Sequence, residues 1–515
     1  MDKRNILRIV LAVGVLAWIG YAYFKPASNT HATHAASVTN AEPVTPRKLG
    51  SLGFTPCTLA PKLATSTVAA QCTQFMVPED YAHPSGRKIA LAIAWVPARS
   101  GDAPDPVFML AGGPGQSALD SYPGIAPAFE ETLKKRNVIL VDQRGTGASN
   151  PLACKNSEGD KSSVDEQSSD DPAVVQRFTE RCRDSLSTKA DLRFYSTTEA
   201  IQDLDAVRKA IGAAQINLVG ISYGTRVAQQ YARRYPKNTR TVVLDSVVPN
   251  ELVLGNEFAR NLDDALVLTF EQCTKTPHCI ERMGDPRVNL AALLAQLKAN
   301  PVAVSYRDPT TGEEKQDTLT RGHVAMVARM YAYLPIAAAT LPLTLSEASK
   351  GRYAPLMAQA KLIAGDLGES MAAGMQLSVI CTEDADGLKA DPAYANGVLG
   401  NEMVDALKAQ CAVWPHGQRP PDFHAPLKSD LPILVLEGEF DPVTPPRYGE
   451  QVVKNLSHGR LLVLRGQGHN EIPVGCMPKL MAHFIDTTDA KSLDAHCLDK
   501  LTPPPPFTSF SGWDP

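Results

Sequence analysis

One segment of the chain, residues 216–236 with the sequence INLVGISYGTRVAQQYARRYP, changes character abruptly in its middle. An apolar run ends at two glycines that flank Ser222, and an amphipathic pattern with helical spacing follows. Apolar runs of this length predict a buried strand, and the later spacing predicts a helix. The segment therefore predicts a strand that turns sharply into a helix, which is the local unit of an α/β fold.

The same pattern recurs on both sides of this segment. Strands are predicted by KIALAIAWVPA, DPVFMLAGGPG, NVILVDQRGTG and RTVVLDSVV, each bounded by turn residues. A helix is predicted in STTEAIQDLDAVRKAIG, where Ser196 and Glu199 have the spacing of a capping box. Strands that are apolar on both faces and alternate with helices indicate a mostly parallel sheet covered on both sides. The predicted fold class is α/β.

Strand patterns become rare between residues 250 and 430, where helical patterns dominate. One hairpin is predicted there, in VAVSYRDPTTGEEKQDTLT, and strands return with LPILVLEGEFDP and GRLLVLRGQGHNEIP. We therefore predict a mainly helical cap inserted between two strands of the sheet. The predicted organisation places a first core part at 51–249, the cap at 250–430, and a second core part with a C-terminal tail at 431–515.

The first residues have the features of an export signal. Lys3 and Arg4 precede an apolar run that ends near residue 24, and an Ala/Thr/Ser-rich stretch follows. Both a cleaved signal peptide and an uncleaved membrane anchor fit this pattern, because the run is short for a membrane span and no small-residue cleavage site closely follows it. Residues 25–50 are predicted to form a tether between this segment and the folded part of the chain. The expected location is periplasmic or secreted, with anchoring to the inner membrane as the alternative.

Ten cysteines support export independently, because an oxidising compartment allows five disulfides. Spacing does not determine which cysteines pair. If each pairs with its neighbour in the chain, the five loops are 57/72, 154/182, 273/279, 381/411 and 476/497, which is the pairing we expect. No CxxC spacing occurs, so neither a metal site nor a redox motif is expected.

The charge balance excludes several partners. Lys and Arg number 51 and Asp and Glu number 55, which gives a formal charge of −4. Such a chain has no broad attraction for nucleic acid or for an anionic membrane surface. Function must therefore be inferred from specific sites.

Ser222 is the first candidate for chemistry. A serine between glycines is often only a turn residue or a helix cap, but the setting between a strand and a helix favours an exposed nucleophile. A serine hydroxyl requires a base, and the base requires a carboxylate that orients it. Asp441 in GEFDPVTPP and His469 in GQGHNEI each follow a predicted strand, at the edge where parallel sheets place their sites.

Two other carboxylates compete with Asp441. Glu437 and Glu439 lie in the same segment, but their positions within the predicted strand make them weaker candidates. The predicted catalytic set is therefore Ser222, Asp441 and His469.

An oxyanion needs backbone N–H donors. The expected donors are the amide of Tyr223, directly after the nucleophile, and the loop LAGGPGQS, in which Gly112 and Gly113 allow an amide to turn towards the site. The loop lacks the spacing of nucleotide-binding motifs. We therefore expect no nucleotide, no metal and no cofactor.

The motifs AGGPGQS, VDQRGTGASNP, VGISYGTRVA, VLDSVVP, GEFDPVTPP and GQGHNEI resemble those of the tripeptidyl-aminopeptidase and prolyl-iminopeptidase group of serine α/β-hydrolases. The resemblance extends over about residues 50–500. Ala111 is a departure, because prolyl iminopeptidases commonly have His before the Gly-Gly-Pro-Gly sequence. This favours the tripeptidyl branch and leaves proline specificity open. The resemblance implies an α/β-hydrolase fold and a peptidase that acts through an acyl-enzyme.

The resemblance also implies substrates with a free N-terminus, whose ammonium needs an acidic partner. The cap segment LSVICTEDADGL offers Glu383 first and Asp384 second. The alternative is an acidic turn that is solvated and held by a disulfide.

Asp142 and Arg144 in VDQRGTGASNP are expected to be structural. A hydrogen-bonded pair at this strand end would hold the backbone near the oxyanion loop.

Two other functions use the same scaffold. An exported esterase would use the same three residues on small esters, and a catalytically silent binding module would keep only the fold.

Overall fold

The computed structural model describes residues 47–60, 66–101, 103–154 and 172–513. The predicted signal or anchor segment 1–24, and the tether apart from its last residues, lie outside this range. Within the described ranges, none of the helices combines the length and the apolar character needed to span a membrane.

Twelve strands are found in the described residues, ten of them in one sheet. In chain order they are β1 (Arg47–Leu49), β2 (Leu52–Leu59), β3 (Val68–Pro78), β4 (Lys88–Val96), β5 (Val107–Leu110), β6 (Val138–Val141), β7 (Ile216–Ile221), β8 (Thr239–Asp245), β9 (Val302–Arg307), β10 (Glu314–Leu319), β11 (Ile433–Gly438) and β12 (Gly459–Leu464). The sheet order is β1-β2-β3-β4-β6-β5-β7-β8-β11-β12. Strands β1 to β4 pair antiparallel, and the six strands from β6 to β12 in this order are parallel.

The α-helices in the described residues alternate with the strands and then dominate the middle of the chain. They are α1 (Ala118–Ile125), α2 (Pro172–Ser187), α3 (Thr197–Ala210), α4 (Tyr223–Arg234), α5 (Phe258–Thr274), α6 (Pro277–Met283), α7 (Pro286–Ala299), α8 (Arg321–Ala332), α9 (Pro335–Ala338), α10 (Leu341–Ser349), α11 (Ala354–Ser370), α12 (Ala373–Glu383), α13 (Glu402–Cys411), α14 (Pro446–Val453) and α15 (Met477–Thr487).

The parallel part of the sheet is covered on both faces, as the apolar strands predicted. Every residue of β5, β6, β7 and β11 is buried. One face packs on α3, α4 and α14, and the other packs on α1 and α15. The predicted capping box is confirmed, since Ser196 and Glu199 exchange their hydrogen bonds at the start of α3. The prediction of an α/β fold is therefore confirmed.

The chain between β8 and β11 contains helices α5 to α13 and the predicted hairpin, β9 paired with β10. Side chains from α5, α7, α8 and α10 form an apolar core of their own within this insertion. The inserted helical segment between sheet strands is thus confirmed as part of the fold.

All ten cysteines form disulfides, and the pairing of chain neighbours is confirmed. The pairs are Cys57–Cys72, Cys154–Cys182, Cys273–Cys279, Cys381–Cys411 and Cys476–Cys497.

Candidate active site

Ser222 lies at the turn between β7 and α4 with a backbone conformation that L-residues rarely adopt, φ 54° and ψ −123°. The flanking glycines make this turn possible. A Cβ at Gly220 would lie 2.4 Å from the carbonyl oxygen of Gly224, and a Cβ at Gly224 would lie 2.2 Å from the carbonyl oxygen of Leu110. Strained backbone of this kind is concentrated at functional sites. The local sequence therefore forces strand and helix together and presents Ser222 at the sheet edge.

Tyr223, the residue after Ser222, anchors the turn through its buried side chain. Tyr223 is fully buried, and its hydroxyl shares hydrogen bonds with Thr197 Oγ1 at 2.6 Å and with Gln143 Nε2 at 3.1 Å. Burial raises the pKa of the Tyr223 hydroxyl far above its usual value, so the phenol stays neutral. These contacts fix the position of the first turn of α4.

The glycine loop after β5 lies against Ser222. A Cβ at Gly112 would be 3.1 Å from the Cβ of Ser222, and Gly113 has a φ of 107°. Only glycine adopts that φ without strain, so the loop sequence is suited to a close approach to Ser222.

Asp142 fastens the end of this loop. Its Oδ1 accepts hydrogen bonds from Ser117 Oγ at 2.6 Å and from the Leu119 amide at 3.1 Å, and its Oδ2 accepts one from the Ala148 amide at 3.0 Å. The expected pairing of Asp142 with Arg144 is wrong. The Arg144 guanidinium instead binds another carboxylate.

That carboxylate belongs to Asp203 on α3, and both of its oxygens lie 2.7 Å from the Arg144 guanidinium. Arg144 also donates to the carbonyl of Glu79 at 2.8 Å and to that of Phe194 at 2.7 Å. The fully buried Arg144 guanidinium thus joins α3 to the backbone at Glu79 and Phe194.

Asp441 and His469 meet at the ends of β11 and β12. His469 Nδ1 lies 2.7 Å from Asp441 Oδ2, and both side chains are buried. Three further donors bind the carboxylate, namely the Val443 and Thr444 amides and Thr444 Oγ1, each at 2.8 Å. These hydrogen bonds fix the orientation of the Asp441 carboxylate towards His469.

The two other carboxylates of this segment, Glu437 and Glu439, accept hydrogen bonds from backbone amides. Glu437 is fully buried, and its Oε1 accepts a hydrogen bond from the Val247 amide at 3.3 Å. Glu439 is exposed, and its Oε2 accepts a hydrogen bond from the Gly466 amide at 2.8 Å. Among the three carboxylates of this segment, Asp441 is the one bonded to His469.

Asp245, at the end of β8, joins the Ser222 turn to the His469 loop, and sequence reasoning missed it. Its carbonyl accepts the Ser222 amide at 2.9 Å, and its carboxylate accepts the amides of Glu471 at 2.7 Å and Ile472 at 3.0 Å. Burial raises the pKa of Asp245 to about 6, although these hydrogen bonds oppose the shift. Its position at the end of a parallel strand was the available signal.

The insertion contacts both parts of the site. Ala372 donates its amide to the Gly115 carbonyl at 3.0 Å, and Met371 forms a β-bridge with Gln116 next to the glycine loop. At the other side, the Tyr333 carbonyl accepts the His469 amide at 2.8 Å. No pattern in the helical insertion distinguishes these residues, so sequence analysis did not identify them.

Glu383 and Asp384 lie at the end of α12, away from His469 and Asp441. Both are completely buried, and Arg226 on α4 lies between them, 3.5 Å from Glu383 Oε2 and 2.8 Å from Asp384 Oδ2. Glu383 Oε1 also accepts the Thr197 amide at 2.7 Å. Burial raises the pKa of Glu383 to about 7, while Arg226 lowers it. These acids are held by protein partners rather than by solvent, unlike the solvated turn considered from sequence.

Two family models match the chain. The model for the alpha/beta hydrolase fold matches residues 105–315, and the model for TAP-like protein matches residues 396–497. The chain is 25% identical over 485 residues to the serine protease Hip1 of Mycobacterium tuberculosis, covering 85% of this chain and 89% of that protein. It is 23% identical over 479 residues to the tripeptidyl aminopeptidase of Streptomyces lividans, covering 84% and 85%. It is 34% identical over 268 residues to carboxylesterase B of M. tuberculosis, covering 47% and 51%.

The chain is a serine hydrolase of the α/β-hydrolase fold. In this α/β-hydrolase, the first matched region contains Gly112, Gly113 and Ser222, and the second contains Asp441 and His469. The two regions meet through Asp245, whose backbone holds the serine turn and whose side chain holds the histidine loop.

Proposed function

We propose that this protein is an exported serine aminopeptidase that releases amino acids or short peptides from the N-termini of peptides. The observation that carries the proposal is the 2.7 Å contact of His469 Nδ1 with Asp441 Oδ2, at the sheet edge that also bears the strained Ser222 turn. Similarity to proteins named serine protease and tripeptidyl aminopeptidase favours peptides as substrates.

In the proposed mechanism, Ser222 Oγ attacks the carbonyl carbon of the peptide bond and forms an acyl-enzyme. His469 accepts the serine proton on Nε2, because Asp441 occupies its Nδ1 side, and returns the proton to the leaving amine. Asp441 stabilises the imidazolium that forms in between. Water then attacks the acyl-enzyme by the same route and releases the N-terminal fragment.

The proposed oxyanion donors are the amide of Tyr223 and the loop containing Gly112 and Gly113. Preorganised amides of this kind stabilise the negative charge that develops on the carbonyl oxygen. Two observations support this assignment of the donors: Gly112 packs closely on Ser222, and the Tyr223 side chain is buried and hydrogen-bonded.

The proposed partner of the substrate ammonium is Glu383, with Asp384 as the second candidate. Glu383 Oε2 lies 3.5 Å from the Arg226 guanidinium but accepts no hydrogen bond in the described residues, so it retains the capacity to accept one. Access requires displacement of the residues that bury it. Glu383→Gln is expected to raise KM for peptides with a free N-terminus far more than for a neutral ester. Equal changes in the two KM values would contradict this role.

Export is supported by the five disulfides, which persist in oxidising compartments. We propose that residues 1–24 act as the signal peptide or membrane anchor and that 25–50 form the tether. The proposed organisation comprises core residues 51–249 and 431–515 with the cap at 250–430, whose separate apolar core supports its treatment as a unit.

The second candidate is an exported esterase that uses the same residues, and similarity to carboxylesterase B over about half the chain favours it. The two functions differ in their need for a substrate amine. A peptidase of the proposed type should cleave unblocked peptides and leave their N-acetylated counterparts almost untouched.

The test combines labelling with a peptide digest. A fluorophosphonate should label the wild-type protein and fail to label Ser222→Ala, while the control Ser100→Ala, an exposed serine, should label normally. Mass analysis of a digested peptide library should then show fragments from free N-termini. Equal cleavage of acetylated peptides would contradict the aminopeptidase, and absence of labelling would contradict the nucleophile and favour a silent binding module.

A further inference from the structure

The loop that carries His469 is held by groups outside the loop at four consecutive backbone amides. The amide of His469 donates to the Tyr333 carbonyl at 2.8 Å, that of Asn470 to Ser246 Oγ at 2.9 Å, and those of Glu471 and Ile472 to the Asp245 carboxylate at 2.7 and 3.0 Å. Three of the four acceptors belong to Asp245 and Ser246, at the end of β8. The acceptor for the His469 amide, the Tyr333 carbonyl, belongs to the insertion.

Tyr333 lies between α8 and α9, in a segment that crosses directly over the loop. A Cβ at Gly468 would lie 2.2 Å from the Tyr333 carbonyl oxygen. Residue 468 must therefore be glycine for the two backbones to approach this closely.

The side chain of Tyr333 contacts the imidazole as well. The two ring centroids are 4.9 Å apart and the ring planes are inclined at 69°, which is the edge-to-face arrangement that aromatic rings prefer. The Tyr333 side chain is half-buried, and its hydroxyl makes no hydrogen bond within the described residues. The contact to His469 is therefore made by the ring and the backbone, and the hydroxyl is not required for it.

The C-terminal tail supports this segment from the opposite side. The Phe507 amide donates to the Ala339 carbonyl, directly after α9, at 2.8 Å. Pro503 packs against Gly466, at the start of the histidine loop, where an added Cβ would lie 2.4 Å from the proline nitrogen. The tail thus contacts both the end of α9 and the start of the histidine loop.

We propose that Tyr333 is a positioning residue for His469, so that the insertion determines the orientation of the catalytic imidazole. This inference rests on the proposed function, in which His469 is the general base. The Asp441 contact fixes one edge of the imidazole ring, and rotation about that contact is limited by the Tyr333 ring. A small misplacement of a catalytic group lowers the rate steeply, since proton transfer requires hydrogen-bond geometry to the serine.

The experiment compares Tyr333→Ala, Tyr333→Phe and the control Leu334→Ala in the full chain. Leu334 is the adjacent residue, and its side chain is 56% exposed. We expect Tyr333→Ala to lower kcat and the rate of fluorophosphonate labelling of Ser222 about tenfold, with KM changed less than about twofold. Tyr333→Phe should recover most of the loss, because the ring is retained, and Leu334→Ala should match the wild type.

Several results would overturn the inference. Labelling of Tyr333→Ala at the wild-type rate would do so, and so would a loss in Tyr333→Phe as large as that in Tyr333→Ala. A rise in KM with unchanged labelling would show that the ring contacts substrate instead of positioning His469. If Tyr333→Ala does not fold, Tyr333→Leu, which keeps apolar bulk, gives the same comparison with Tyr333→Phe.

The same data separate this inference from the proposed function. If the wild-type protein is not labelled, the nucleophile assignment fails. If it is labelled but cleaves acetylated and free peptides equally, the aminopeptidase assignment fails, while the effect of Tyr333 on labelling still tests the positioning role.

Discussion

Two groups of buried acids lie in the part of the protein that contains Ser222 and His469, and they differ in how their charge is balanced. At the end of α12, Glu383 and Asp384 face Arg226, which lies within ion-pair distance of both. Behind His469, Asp245, Glu437 and Glu471 are buried together, and within the described residues none of these three forms an ion pair. The first group is balanced by a cation, whereas in the second group burial raises the pKa of each carboxyl group.

Hydrogen bonding separates the groups further. Asp384 receives an Arg226 N–H at 2.8 Å, and Glu383 receives the Thr197 amide. In the second group, both carboxyl oxygens of Glu471 and one oxygen of Glu437 are buried and have no hydrogen-bond partner among the residues that the structure describes. Burial raises the pKa of Glu471 and of Glu437 well above the usual value, and neighbouring carboxylates raise each pKa further.

Hydrogen bonding also distinguishes Asp441 from the other acids of this region. Asp441 has three hydrogen-bond donors besides His469. Glu437 accepts one backbone amide, and neither carboxyl oxygen of Glu471 accepts a hydrogen bond within the described residues. Asp441 is thus the acid of this region that is held by several donors and is bonded to His469.

The largest expected effect comes from removing the cation of the balanced group. Arg226→Met would leave Glu383 and Asp384 buried without their shared partner. Breaking a buried ion pair from one side typically costs about 3–5 kcal/mol, because the remaining charge is neither solvated nor paired. We therefore expect a fall of this size in the free energy of unfolding, measured by urea denaturation at pH 7.

The matched control is Arg234→Met, on the same helix with an exposed side chain. It makes the same chemical change without leaving a buried acid unpaired, so its unfolding midpoint should stay close to that of the wild type. Equal losses in the two variants would show that Arg226 acts through packing of its stem and not through charge balance.

Sequence analysis predicted the parts of this arrangement that depend on local patterns. The sheet strands, the Ser222 turn and the strand-end positions of Asp441 and His469 follow from apolar runs and turn residues that are adjacent in the chain. The disulfides also agree with the neighbour pairing, because each pair closes a short loop.

The contacts that depend on packing between distant segments were not predictable. Arg226 looks like any polar residue of an amphipathic helix, yet folding places it between two acids more than 150 residues away. Asp142 and Arg144 are close in sequence but bind different partners, since adjacent turn residues point in different directions. Tyr333 reaches His469 only because the insertion folds back over the sheet.

The next prediction concerns the second group. Glu471→Gln should stabilise the protein at pH 8, and by less at pH 5, because burial raises the pKa of Glu471 and the amide has no proton to lose. The folded-state pKa of Glu471 is raised, so the folded protein retains a proton that the unfolded chain loses above about pH 4.3. The free energy of unfolding of the wild type therefore falls as pH rises above that value. Glu471→Gln removes this contribution of residue 471 to the pH dependence. Urea denaturation from pH 5 to pH 8 measures the difference.

Glu383→Gln is the variant to compare with Glu471→Gln in these urea denaturation experiments. Its carboxylate is partly balanced by Arg226, so the amide removes a favourable contact together with the cost of burial. We expect no comparable gain in stability at pH 8. A gain as large as that of Glu471→Gln would show that Arg226 does not balance the acids at the end of α12.

The smallest expected effect concerns Thr444, whose hydroxyl donates to Asp441 Oδ2 at 2.8 Å. Thr444→Val removes this donor and leaves the two backbone amides in place. We expect kcat to fall about tenfold, equivalent to about 1.4 kcal/mol, because the Asp441 carboxylate loses one of the hydrogen bonds that orient it towards His469. Thr444→Ser keeps the hydroxyl and should retain most of the activity. If Thr444→Val keeps the wild-type kcat, the hydroxyl is not required at this position, and the two backbone amides with His469 are sufficient to orient the Asp441 carboxylate.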